Sequence, residues 1–138
     1  MIQIYLDYNA TTPLRPEVLE AMFPYLREVY GNPSSIHHFG QEAKKGVEKA
    51  REKVAHLLHA SPMEIVFTGS GTEGNNLAIK GAAYFHREKG HHIITSSIQH
   101  HSVLKSCQRL EKEGFRVTYL TVDHYGMIDP DEVRRAIT

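Results

Sequence analysis

The sequence has very little cysteine and no tryptophan: Cys107 is the single cysteine among 138 residues. A lone cysteine excludes an intrachain disulfide framework, so the simplest interpretation is a reducing compartment, and we expect a cytoplasmic protein. Cys107 falls on the apolar stripe of a predicted helix. A small buried residue is expected there rather than a reactive thiol.

An excess of charge and a long apolar run are also missing. Sixteen Lys and Arg residues balance sixteen Asp and Glu residues, so no basic surface indicates nucleic acid. No apolar run approaches the ~18 residues that cross a membrane. The first residues, MIQIYLDYNATT, have neither the basic region nor the long apolar region of a signal peptide. We therefore expect neither a nucleic acid nor a membrane as partner.

Histidine is abundant, with ten residues, so a metal site has to be weighed. His56 and His59 lie three apart on a predicted helix and could share one ion. No third ligand stands at a useful spacing, and no cysteine pair supports zinc. The sequence predicts no metal site and favours solvated histidines near helix ends.

Short apolar segments and helical spacings alternate along the chain. A short strand or an extended segment is predicted at Ile2 to Leu6, and strands are predicted at Glu64 to Thr68, His92 to Ser96 and Phe115 to Leu120. Helices are predicted from Pro16 to the turn at Gly31, at Gln41 to His59, at about Glu73 to Glu88, at Ser102 to Glu113, and after Asp129, with Gly90 and Gly114 as helix stops and Asp129 and Glu132 as a capping box.

From Glu64 onward this order is β-α-β-α-β, which predicts an α/β fold with a parallel sheet and right-handed crossovers. Three core strands are fewer than a doubly wound sheet usually has. We therefore expect the chain to be the N-terminal piece of a longer protein.

The stretch TGSGTEGNN, from Thr68 to Asn76, contains G-x-G-x-x-G between a predicted strand and a predicted helix. A dinucleotide site also needs an acidic residue at the end of the second strand, and Thr95 to His100 has none. Two interpretations remain. The loop is a cup for one phosphate at a helix N-terminus, or a plain N-cap formed by Ser70 or Thr72. Three glycines favour the phosphate cup.

A single phosphate suggests a mononucleotide or pyridoxal phosphate (PLP). His100 follows the second strand, and ligands of open α/β sheets bind at the carboxyl ends of strands. An imidazole there could stack on a ring and titrate near neutral pH. From the residues alone, a surface histidine at a helix start is the favoured explanation.

The residues match a known family at four places, in order and with matching spacing. The matched blocks are YLDYNATTP (5–13), GNPSSIH (31–37), FTGSGTEGNNLAI (67–79) and QHHSVL (99–104). From Ile4 to Thr138 the chain resembles the N-terminal part of cysteine desulfurases, which are PLP enzymes of the class V aminotransferase family. The resemblance implies the incomplete large domain of a fold type I PLP-dependent transferase, with residues 1–15 approaching the active site and residues 16–138 forming the first part of that domain.

The resemblance also implies site residues. Gly71 and Thr72 match positions that bind the PLP phosphate. His100 matches the histidine that stacks on the pyridine ring and transfers protons, with His101 as a second candidate. Asn9 to Thr11 match a loop on the substrate side. The family usually has glutamate where this chain has Gln99, which keeps a hydrogen-bonding group but loses the charge.

The implied activity of the complete enzyme is conversion of L-cysteine to L-alanine and an enzyme persulfide, for iron–sulfur cluster or thio-cofactor assembly. A homodimer and a sulfur-acceptor or scaffold protein are the implied partners. The family's cofactor lysine, ring-nitrogen aspartate and persulfide cysteine lie beyond Thr138. Lys80 is expected to point away from the cup, and the 138-residue chain alone is expected to be inactive.

Two alternatives stay open at this point. The complete protein could carry out another class V reaction, such as that of selenocysteine lyase. The chain could also be a non-catalytic fragment or half-protein that acts only as a scaffold.

Overall fold

A computed structural model describes residues 3–138. These residues divide into two compact units, the first ending at Val66 and the second comprising Phe67–Thr138. Within residues 3–138 no helix is long and apolar enough to cross a membrane.

Three helical elements make up the first unit: α1 (Pro16–Arg27), α2 (His38–Leu58) and a short 3-10 helix (Pro62–Glu64). Pro16 is the first residue of α1, where its missing N–H has no intrahelical partner to lose. Helix α2 begins three residues earlier than predicted because His37 caps it. The Nδ1 atom of His37 accepts a hydrogen bond from the Gly40 N–H at 3.3 Å. Histidine is not a usual N-cap residue, so capping preferences do not indicate it.

The strand predicted at Glu64 to Thr68 is wrong, as is the strand alternative for the described part of Ile2 to Leu6. Ile2 lies outside the described residues, and residues 3–6 form no strand. Glu64 belongs to the 3-10 helix, and Ile65 is extended with φ −92° and ψ 123°. Residues 65–68 pair with no other strand in the described part of the chain. Apolar composition predicts an extended backbone, but a strand also needs a hydrogen-bonded neighbour.

The second unit alternates helices and strands: α3 (Gly71–Phe85), β1 (His92–Ser96), α4 (His101–Lys112), β2 (Arg116–Leu120) and α5 (Pro130–Ala136). The two strands pair in parallel, with His92 opposite Arg116 and Ser96 opposite Leu120. The predicted α/β class and parallel pairing are confirmed, with two paired strands where three were expected.

Helix α4 connects the two strands and carries the core of this unit. Cys107 and Leu110 are buried, at 1% and 0% exposure, and Phe115 is buried just beyond the helix. Gly114 ends the helix as predicted, with φ +93°. The Phe115 N–H donates to the Leu110 carbonyl at 3.0 Å and the Gly114 N–H donates to the Glu111 carbonyl at 3.0 Å. This pair of hydrogen bonds requires a residue in the left-handed backbone conformation, which glycine adopts without strain.

Other helix ends differ from the sequence prediction by a few residues. Helix α3 ends at Phe85, and a turn follows, so Gly90 is not its cap. Asp129 caps α5 as predicted, but its carboxylate accepts from the Asp131 N–H at 2.9 Å. The reciprocal bond expected from Glu132 is not formed there.

Candidate functional site

The glycine loop is closed onto the first turn of α3 by its own side chains. Ser70 is the N-cap, and its hydroxyl oxygen accepts from the Glu73 N–H at 3.2 Å. The Glu73 carboxylate accepts in return from the Gly69 N–H at 2.7 Å. The spacing Ser70-x-x-Glu73 is that of a capping box. The sequence analysis did not identify it, because the three glycines favoured a phosphate site. Of the two residues considered as caps, Ser70 is the one that forms it.

Capping leaves part of the helix N-terminus unused. The N–H groups of Gly71 and Thr72 have no acceptor among the described residues, and the Thr72 side chain is exposed. A Cβ atom placed on Gly71 would meet no other atom within 4 Å. Two backbone donors, a hydroxyl and the positive end of a 15-residue helix therefore border open space. These groups fit a phosphate such as that of PLP.

His100 lies at the start of α4 and caps it. Its Nδ1 atom accepts from the Ser102 N–H at 3.1 Å and lies 2.8 Å from the Ser102 hydroxyl oxygen. The side-chain amide of Asn75, on α3, donates to the same hydroxyl oxygen at 2.7 Å. Asn75 follows Thr72 by three residues, about 4.5 Å along the helix axis. The N-terminal parts of α3 and α4, with Thr72 and His100, are thus joined at one end of the second unit.

The side chain of Gln99 is hydrogen-bonded to the end of β1. Its side-chain amide donates to the Ser96 hydroxyl at 3.3 Å, whereas His100 bonds to Ser102. His101 is the first residue of α4 and is exposed, with its ring centroid 6.3 Å from that of His100. His100 is therefore the imidazole fixed in orientation by the cap.

The side chain of Lys80 leans toward the start of α3, contrary to the sequence prediction that it points away from the cup. Its ammonium donates to the Asn76 side-chain oxygen at 2.6 Å, and the Asn76 amide donates to the Thr72 carbonyl at 2.9 Å. Helical side chains lean toward the N-terminus, so a residue two turns along the helix reaches back toward its start.

Cys107 is placed as a core residue. Burial raises the pKa of its thiol, and the nearby Glu111 carboxylate adds to the rise. A buried thiol held protonated in this way is a poor nucleophile. Asn9 to Thr11 lie in the first unit, where the Ala10 N–H donates to the Asp7 carbonyl at 3.1 Å, and their role at a substrate site stays a prediction.

Potential metal ligands do not converge in the described residues. His56 lies in the last turn of α2, and His59 caps that helix with φ 52°. No group of three or more His, Cys, Asp or Glu side chains in residues 3–138 is arranged to hold an ion.

Comparison with known proteins defines the class of protein. The model of the family described as "Aminotransferase class-V" matches residues 4–138. The chain belongs to this family.

Individual relatives within the family show which of its members this chain is similar to. The chain is 57% identical over 135 residues to "Cysteine desulfurase IscS" of Dictyoglomus turgidum, covering 98% of this chain and 34% of that protein. It is 57% identical over 134 residues to "Cysteine desulfurase IscS" of Methanosarcina thermophila, covering 97% and 33%. The chain thus spans about a third of the length of these relatives.

Solved structures give the same result for the fold. A "NIFS-LIKE PROTEIN" superposes with a TM-score of 0.90 at 42% identity, covering 99% of this chain and 37% of that one. A structure described as "SspA in complex with cysteine" superposes with a TM-score of 0.87 at 46% identity, covering 97% and 39%. The incomplete α/β architecture expected from the sequence is thereby confirmed.

Proposed function

We propose that the complete protein is a PLP-dependent cysteine desulfurase, which converts L-cysteine to L-alanine and an enzyme persulfide for iron–sulfur cluster or thio-cofactor assembly. The observation that carries this proposal is the joined pair of helix starts, one with free phosphate donors and the other with a fixed imidazole. The similarity to proteins named cysteine desulfurase supports the same reaction. A homodimer in the cytoplasm, with a sulfur-acceptor or scaffold protein as partner, completes the proposal.

Within this function, the start of α3 binds the cofactor phosphate. The N–H groups of Gly71 and Thr72 and the Thr72 hydroxyl supply hydrogen bonds, and the helix dipole favours the negative charge. PLP, when bound, would supply an electron sink for cleavage of the Cα–H and C–S bonds of L-cysteine. The protein's part is orientation and proton transfer.

His100 is the proton-transfer residue of the proposal. Its Nδ1 atom accepts from the Ser102 N–H, so the neutral ring carries its hydrogen on Nε2, which is the nitrogen left to hold a proton at the substrate side. Cys107 takes no part, because its buried thiol is protonated and enclosed. The persulfide would form on a cysteine outside these 138 residues.

The experiment that tests the proposal uses the complete protein with PLP and L-cysteine and measures alanine release. We expect His100→Ala to lower turnover by about 100-fold or more while PLP occupancy changes little. His101→Ala is the matched control, and its turnover should stay near that of the natural protein. Equal turnover in the His100→Ala protein would remove His100 from the mechanism.

Assay of L-selenocysteine beside L-cysteine separates a desulfurase from a selenocysteine lyase. A desulfurase releases alanine from L-cysteine and carries a protein-bound persulfide. Release from L-selenocysteine alone would replace the proposed function with the second class V activity. Release from neither substrate would favour a scaffold role.

A further inference from the structure

One short chain of hydrogen bonds runs from α3 to the ring of His100. The Asn75 amide donates to the Ser102 hydroxyl oxygen at 2.7 Å, and that oxygen lies 2.8 Å from His100 Nδ1. Ser102 is buried, with 7% of its surface exposed, and Asn75 is half-buried. Water therefore has little access to compete for the Ser102 hydroxyl.

The direction of donation along this chain follows from the groups themselves. The backbone N–H of Ser102 can only donate, so His100 Nδ1 presents a lone pair to it at 3.1 Å. The Asn75 NH2 group likewise donates to the Ser102 hydroxyl oxygen, which leaves the hydroxyl hydrogen for another acceptor. The acceptor within reach is the same Nδ1 lone pair.

We propose that Ser102 and Asn75 are positioning residues for His100: the Ser102 hydroxyl, oriented by the Asn75 amide, donates to Nδ1 and keeps the ring proton on Nε2. Two donors on Nδ1 select the tautomer with hydrogen on Nε2, because a hydrogen on Nδ1 would oppose both. The catalytic consequence rests on the proposed function, in which Nε2 is the proton-transfer atom.

The arrangement also fixes the ring in space. A backbone cap alone holds His100 to α4, whereas the Asn75 link joins it to the helix whose first turn carries Gly71 and Thr72. The imidazole is thereby held in a fixed position relative to the proposed phosphate-binding residues, Gly71 and Thr72. This role differs from contact with substrate, so its loss should lower turnover more than substrate affinity.

The test measures the tautomer of His100 directly, in the complete protein with PLP and without it. Nitrogen NMR of ring-labelled histidine distinguishes hydrogen on Nδ1 from hydrogen on Nε2, and the spectrum of His100→Gln assigns the signals. In the natural protein we expect the Nε2–H form. In Ser102→Ala the ratio of Nδ1–H to Nε2–H forms should rise about fivefold, which corresponds to ~1 kcal/mol for one hydrogen bond.

Further variants make the result specific. Ser102→Thr keeps the hydroxyl and should restore the natural ratio. Asn75→Asp replaces the donor with a carboxylate that accepts the Ser102 hydrogen, so it should raise the Nδ1–H form as Ser102→Ala does. Ser106→Ala is the matched control, because Ser106 is a buried serine one turn along α4 whose hydroxyl donates to the Ser102 carbonyl at 2.7 Å. Its tautomer ratio should match the natural one.

The outcomes separate this inference from the proposed function. A raised Nδ1–H form in Ser102→Ala and Asn75→Asp, with a fall in kcat larger than any rise in KM, supports the positioning role. An unchanged ratio in folded Ser102→Ala, or in Asn75→Asp if the alanine variant does not fold, overturns it. If the complete protein releases no alanine from cysteine, the proposed function fails, while the tautomer ratios still decide whether Ser102 orients His100.

Discussion

The carboxylate of Glu73 accepts a hydrogen bond from the backbone N–H of Gly69 at 2.7 Å. This contact crosses the mouth of the glycine loop and complements the bond from the Glu73 N–H to the Ser70 hydroxyl. Two hydrogen bonds therefore tie the glycine loop to the first turn of its own helix.

Loss of the Ser70 cap should destabilise the second unit. Ser70→Ala removes the acceptor for the Glu73 N–H, and we expect the free energy of unfolding to fall by ~1 kcal/mol. Ser70→Asn keeps a capping oxygen and should retain most of the stability. Urea unfolding of both variants checks this, and an asparagine variant as unstable as the alanine variant would contradict it.

Replacement of Gly71 should separate stability from cofactor binding. A Cβ at Gly71 meets open space, so Gly71→Ala should change the free energy of unfolding by no more than ~0.5 kcal/mol. The added methyl group would stand where the proposed phosphate approaches, and PLP affinity of the complete protein should fall about tenfold or more, ~1.4 kcal/mol.

Gly81→Ala is the matched control for this change. Gly81 lies in the same helix and also borders open space, so the substitution should stabilise the helix by ~1 kcal/mol. PLP affinity should not move. Equal losses of affinity in the Gly71 and Gly81 variants would show that the effect is not local to the cup.

Tyr119 should ionise at unusually high pH. Burial and the hydrogen bond to the Glu111 carboxylate at 2.9 Å raise the pKa of Tyr119 to about 12. The phenol of an unfolded chain ionises near pH 10, so the folded protein should keep one tyrosine protonated well above that. Ultraviolet titration of tyrosinate measures it, and Tyr119→Phe should delete the last step of the curve.

Cys107 should make stability fall in mildly alkaline solution. Burial raises the pKa of the folded thiol, whereas the unfolded thiol ionises near its ordinary value of about 8.5. The contribution is therefore complete below about pH 8.5 and is lost as the pH rises toward the folded pKa. Between about pH 7 and about pH 9.5 the natural protein should lose more free energy of unfolding than Cys107→Ala. Parallel losses in the two proteins would show that the thiol is not the source.

The 138-residue chain by itself should not bind PLP covalently at one lysine. Gly71, Thr72 and His100 offer phosphate and ring contacts, but no lysine here stands in a motif that matches the family's cofactor lysine. Borohydride reduction of a mixture of the chain and PLP, followed by mass spectrometry, should show scattered, substoichiometric labelling. Stoichiometric labelling of one lysine, with alanine release from cysteine, would mean that the chain is a self-sufficient enzyme.

Sequence reasoning succeeded where structure is local. The bounds of β1 agree with the prediction because a short apolar segment between turn residues is enough to indicate where a strand begins and ends. Gly114 was identifiable because a left-handed helix end favours glycine. The observed starts of α2 and α3 differ from the predicted ones because each start is fixed by a hydrogen bond that one side chain accepts. His37 accepts it for α2 and Ser70 for α3.

What escaped the sequence depends on residues that are distant along the chain. Asn75 and Ser102 are 27 residues apart, and their bond exists because α3 packs beside α4. No spacing rule indicates such a pair. The predicted strand at Glu64 failed for the same reason, since pairing is a property of two segments and composition describes one.

Two glycines of the first unit restrict which sequences can encode its fold. A Cβ on Gly31 would come within 2.2 Å of the Phe39 carbonyl oxygen, and a Cβ on Gly40 within 2.4 Å of the Ser35 carbonyl oxygen. Both obstacles are backbone atoms, which no change of rotamer removes. In a saturation library these two positions should accept glycine alone, although neither is expected to touch cofactor or substrate. Strict selection there would report how closely the backbone folds on itself, and it would be misread if intolerance to substitution were taken as a mark of catalysis.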